Sequence, residues 1–80
     1  MEQLDPHSAT PMYRQLADLI RSRIDSGEYP PGRPIPSKKT LQQRHGVSQV
    51  TVDAALAILR EDGLLETHPG KGLYVRPRED

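Results

Sequence analysis

The sequence predicts a mainly α domain closed by a small β-hairpin, an α+β fold of three helices and two short strands. Two observations predict it. Apolar residues recur at helical spacing in three stretches, which are stopped by Gly27, Gly46 and Gly63. After Gly63 the pattern changes to near alternation over residues 64–68 and 73–76, on either side of Pro69-Gly70-Lys71-Gly72. Eighty residues allow one domain, with a core small enough that oligomerisation or a further domain is a natural expectation.

Residues 1–10 lack apolar periodicity and contain Asp5-Pro6, so they read as a flexible lead-in to a domain spanning 11–76. Thr10-Pro11 is expected as an N-cap and first helical residue, because Pro loses nothing there by lacking an N–H. Tyr13, Leu16, Ala17, Ile20 and Ile24 mark one face of the first helix, and Gly27 ends it. Arg14 to Asp18 and Asp18 to Arg21 have the spacing of helical ion pairs. The prolines of Glu28-Tyr29-Pro30-Pro31-Gly32 bar further helix, and Tyr29 is expected to fold back on the helix end as core packing. Arg33-Pro34-Ile35-Pro36 is extended, and its prolines limit any strand at Ile35 to an edge with one or two hydrogen bonds.

Ser37 is the expected N-cap of a helix of barely two turns ending at His45. Gly46 can take the positive φ that turns the chain sharply, and Val47 then points to the core. Ser48 caps the third helix, in which Val52, Ala55, Leu56 and Leu59 form a buried stripe. Two helices joined by a tight Gly turn make a helix-turn-helix, whose second helix can enter a DNA major groove with its first turn leading. The same pattern also describes small helical domains that bind no nucleic acid. The appended hairpin adds weight to the first reading: it forms a wing whose Lys71, with backbone exposed at Gly70 and Gly72, suits a phosphate or minor-groove contact. It also serves the core, since Leu64, Leu73 and Val75 need burial. Residues 77–80 read as a tail or the start of a linker.

Formal net charge is zero, but residues 1–32 carry three Arg against five acids while 33–76 carry seven Lys or Arg against four. The helix-turn-helix and hairpin are thus modestly basic, which suits phosphate contacts and weak non-specific binding. No Cys is present to form disulfides or thiolate metal sites, and no apolar run approaches the ~18 residues of a membrane helix. The N-terminus lacks the basic and apolar pattern of a signal peptide, so the expected compartment is the cytoplasm. His7, His45 and His68 lie on unrelated elements without paired carboxylates, so no catalytic or cofactor site is expected.

In order and spacing, the start of the first helix at Tyr13, the Gly27 to Gly32 segment, Pro36-Ser37, Gly46-Val47-Ser48 with Thr51-Val52, and the Gly70-x-Gly72 turn carry a family likeness. Over residues 11–76 the chain resembles the N-terminal DNA-binding domain of GntR-type bacterial transcriptional regulators. The resemblance implies a winged helix that binds a palindromic operator in double-stranded DNA as a homodimer, with repression as the expected output. It implies that the helix from Ser48 reads the major groove and that the turn at Gly70 to Gly72 touches the minor groove. The matching positions are Ser37, Lys39, Ser48, Gln49, Thr51, Asp53, Gly70, Lys71 and Gly72, and Lys38, Val50 and His68 complete the candidate DNA-binding set. Ser37, Ser48 and Thr51 suit phosphate contacts, by hydroxyl or helix N-terminus. A small-molecule effector is expected only with the C-terminal domain that such regulators usually carry.

The chain departs from the family's usual residues at three positions. Lys38 stands where an acid is usual; Gln49 and Asp53 stand where Arg is common. Gln pairs with adenine where Arg pairs with guanine, so an A·T preference is expected opposite Gln49. Asp53 can accept from cytosine or form a surface ion pair; the residues alone leave both open. A winged helix that docks on another protein is the rival function, separated from DNA binding by its weak salt dependence.

Overall fold

The computed structural model describes residues 4–77. Three helices, α1 (Met12–Ser26), α2 (Lys38–His45) and α3 (Gln49–Glu61), are followed by strands β1 (Leu65–His68) and β2 (Gly72–Val75). This is the expected architecture of three helices and a wing.

The start of α1 differs by one residue from the expectation. Pro11, not Thr10, is the N-cap: its backbone is extended (φ −57°, ψ 149°), no side chain caps the helix, and its carbonyl accepts from the N–H groups of Arg14 and Gln15. The fixed φ of Pro suits either position, so the pair Thr10-Pro11 alone does not decide the register. Gln15 instead ties the preceding segment to the helix by reaching back. Its amide donates to the carbonyls of Asp5 and Thr10, both at 2.8 Å, and its carbonyl oxygen accepts from the Asp5 N–H at 2.7 Å. Asp18 pairs with Arg21 at 3.4 Å rather than with Arg14, and Arg21 also reaches Asp62 at the C-terminus of α3.

Gly27 ends α1 in the left-handed region (φ 88°), and the Tyr29 N–H then returns to the Arg23 carbonyl at 3.1 Å. That bond seats Tyr29 in the core, where it is buried. α1 packs chiefly on α3. Leu16, Ile20, Leu41, Val52, Leu59 and Val75 are the largest fully buried side chains, so one core joins all three helices and the hairpin. Leu19 is buried and Tyr13 only partly so, which makes the apolar face of α1 wider than its five-residue stripe suggested.

The hairpin is antiparallel with Leu65 opposite Val75 and His68 opposite Gly72. The buried pair is Leu65 and Val75, while Leu64 and Leu73 are partly buried beside it. The turn has Pro69 second and Gly70 third with φ 74°, and it closes through the Lys71 N–H to the His68 carbonyl at 2.9 Å. β2 is flanked on its other edge by the proline-rich segment. Gly32 donates to Val75, Val75 to Arg33 and Ile35 to Leu73, while Pro34, which has no N–H, takes the bridge position opposite Tyr74. Pro34 therefore removes no bond from this short third rung.

Candidate nucleic-acid interface

Each of α2 and α3 begins with the same device, Ser-x-x-Thr. Ser37 Oγ accepts from the Thr40 N–H at 3.1 Å and lies 2.9 Å from the Thr40 hydroxyl; Ser48 Oγ accepts from the Thr51 N–H at 3.2 Å and lies 3.1 Å from the Thr51 hydroxyl. The serine oxygens are thus occupied as caps, and the polar groups left to solvent at each start are first-turn N–H groups and the threonine hydroxyl. Thr40 is a candidate that sequence reading missed. Its signal is the Ser-x-x-Thr spacing that Ser37-Thr40 shares with Ser48-Thr51.

Gly46, at φ 64°, turns the chain between the two helices, and Val47 packs against the core as expected. α3 then buries Val52, Ala55, Leu56 and Leu59. Its first turn faces outward. Gln49 and Val50 are exposed, Val50 by 78%, and Thr51 and Asp53 are partly exposed. Four residues separate Gln49 from Asp53, which places both on one helix face.

Asp53 meets Lys38 across the helix pair. Lys38 Nζ lies 2.8 Å from Asp53 Oδ1, with about half of each side chain exposed. Of the two roles open to Asp53, the structure places it in the surface ion pair. Solvent screening limits such a pair to about 0–1 kcal/mol of stability.

The wing tip carries Gly70 and Lys71 exposed, and beyond the adjoining residues no atom lies within 4 Å of where a side chain on Gly70 or Gly72 would begin. A main-chain approach to phosphate is therefore unobstructed there. A hollow of about 330 Å³ separates the wing from α2; Ser37 and Lys38 line one side, Lys71 and Gly72 the other. A second hollow of about 390 Å³ brings Lys38 and Asp53 together with Arg60 and Thr67. Arg60 was not singled out by sequence, because only the fold shows that it shares this surface with Lys38. Lys39, exposed, lies outside both hollows.

His68 stands apart from the other candidates. Its ring stacks on Tyr74 (centroids 4.2 Å apart, planes 10° apart), and its Nε2 lies 2.6 Å from Glu66 Oε2. The hairpin itself holds this side chain. His45, in the last turn of α2, has its pKa lowered from 6.5, first by burial and then by the charges of Arg23 and Arg44. Among the described residues there is no group of three His, Cys, Asp or Glu side chains able to hold a metal ion, and no helix is long and apolar enough to cross a membrane.

A short capped helix, a glycine turn, a second helix with a bare leading turn and a cationic hairpin tip define a winged helix-turn-helix of the DNA-binding class. Residues 12–75 match the sequence profile of the bacterial regulatory proteins of the gntR family, and the chain belongs to that family. It is 48% identical over 66 residues to the mannosyl-D-glycerate transport/metabolism system repressor MngR of Escherichia coli strain K12, a match that covers 82% of this chain and 28% of that protein. The chain thus spans less than a third of that relative's length. YtrA of Sulfolobus acidocaldarius, a GntR-family transcription factor, superposes with a TM-score of 0.87 at 32% identity, covering 96% of this chain and 81% of that one. The AraR DNA-binding domain in complex with operator ORX1 superposes with a TM-score of 0.81 at 36% identity, covering 89% and 88%. Residues 12–75 are accordingly the winged helix-turn-helix domain of that family.

Proposed function

We propose that this domain binds an inverted-repeat operator as a homodimer and represses transcription in the cytoplasm. α3 enters the major groove with Gln49 and Val50 leading, and the wing places Lys71, Gly70 and Gly72 against the adjacent minor groove. Phosphates on the flanking backbone are met by the N-terminal turns of α2 and α3, with Lys38 and Lys39 supplying cations. The observation that carries this reading is the asymmetry of α3: Val52, Ala55, Leu56 and Leu59 are buried, while Gln49 and Val50 at its leading end are exposed. The relative named as a repressor and the related domain solved on its operator support it.

The test is selection of bound sequences from a random duplex library, followed by stoichiometry and a salt titration of the selected duplex. The expected result is an inverted repeat bound by two chains, with log K falling linearly against log salt. A direct repeat or a single half-site bound by one chain would overturn the dimer. Affinity that is indifferent to salt would overturn the phosphate contacts.

A further inference from the structure

Among the described residues, Val50 is the one large apolar side chain that is exposed, at 78%. A lone surface valine needs no explanation on an ordinary face. This one stands in the leading turn of α3, between Gln49 and Thr51, two residues after the Ser48 cap that fixes the direction of that turn. Local stability does not account for it, since a β-branched residue is a poorer helix former than Ala, Gln or Lys and here gains no packing in return. Its value lies in what it can touch.

We propose that Val50 is a specificity-determining residue that reads the C5-methyl group of a thymine in the major groove. The inference rests on α3 being the helix that enters that groove. Apart from the small C5–H of cytosine, the features that distinguish the four bases on their major-groove edges are hydrogen-bond donors and acceptors, and the thymine methyl is the one bulky apolar group among them. An isopropyl group offers neither donor nor acceptor. Placed against any polar edge it strips water without replacing the lost hydrogen bonds; placed against the methyl it removes two apolar surfaces from water together. Gln49 and Val50 are successive residues and so point about 100° apart around the helix. With Gln49 toward an adenine, Val50 addresses a different base edge, and the two make the first turn of α3 a reader of A·T-rich sequence.

The experiment replaces each thymine of the selected duplex, one at a time, by deoxyuridine, which pairs identically and lacks only the methyl group. Affinities are measured for the 80-residue chain and for Val50→Ala, whose fold is not at risk because the side chain is exposed. The expected result is one thymine per half-site at which uracil weakens binding about fourfold, the worth of one buried methyl group. That penalty disappears in Val50→Ala. If specific binding persists and no uracil costs affinity, or if the penalty is the same in Val50→Ala, the assignment of Val50 is overturned while the operator-binding reading stands. If no duplex is selected, both fall.

Discussion

Lys38 at the first residue of α2 and Asp53 in the second turn of α3 form an ion pair, Nζ to Oδ1, at 2.8 Å. Each departs from what the family usually carries at its position, an acid and an arginine. The two side chains thus place opposite charges face to face across the helix pair. The negative charge of Asp53, which alone would repel phosphate, is countered by a cation held from α2.

Reversing one member of this pair should therefore hurt more than reversing both. Lys38→Glu sets two carboxylates together and Asp53→Arg sets two cations together. Each is expected to lower stability, and the double swap to recover most of the loss, with a coupling of about 0.2–1 kcal/mol in a denaturant double-mutant cycle. Additive single effects would show that the ion pair contributes nothing.

Ser48→Ala removes the cap of α3 and should cost about 1 kcal/mol of stability by chemical denaturation. Ser48→Asp separates the cap from the interface. It keeps a capping oxygen and the stability, yet places a charge where phosphate is expected, so operator affinity falls while the midpoint of unfolding holds.

Lys71→Ala at the wing tip should weaken binding to every duplex alike and leave base preference unchanged. The slope of log K against log salt becomes shallower by about 0.9 for each phosphate contact removed. An unchanged slope would place Lys71 away from the backbone.

Stability should also fall on mild acidification through His45. Burial, then Arg23 and Arg44, hold its pKa in the folded protein below the ordinary 6.5. The unfolded chain thus binds a proton that the fold resists. The contribution of the neutral ring is complete above pH 6.5, declines as pH drops through that value, and levels off below the folded pKa. His45→Gln should flatten that part of a stability-against-pH curve.

Much of this architecture is legible in the residues because its signals are local. The serines that open α2 and α3, the positive-φ glycines at 27 and 46 and the Pro-Gly turn of the wing each act within a few residues of themselves. Thr10-Pro11 misled by one residue because Pro fits two neighbouring helix positions. The features that were not legible depend on how the elements cross. Lys38 and Asp53 are 15 residues apart, Arg60 joins them only through the packing of α3 beside the wing, and the competing roles of Asp53 are separable only once Lys38 is seen beside it.

The most direct test of the central claim, that the first turn of α3 reads the operator, is a pair of random-duplex selections run with the wild-type chain and with Gln49→Ala. The expected outcome is an adenine favoured at one position of each half-site by the wild type and lost in the variant, with the remaining positions and the repeat spacing retained. Identical preferences at every position would contradict the account, since base choice would then be set by some other part of the fold.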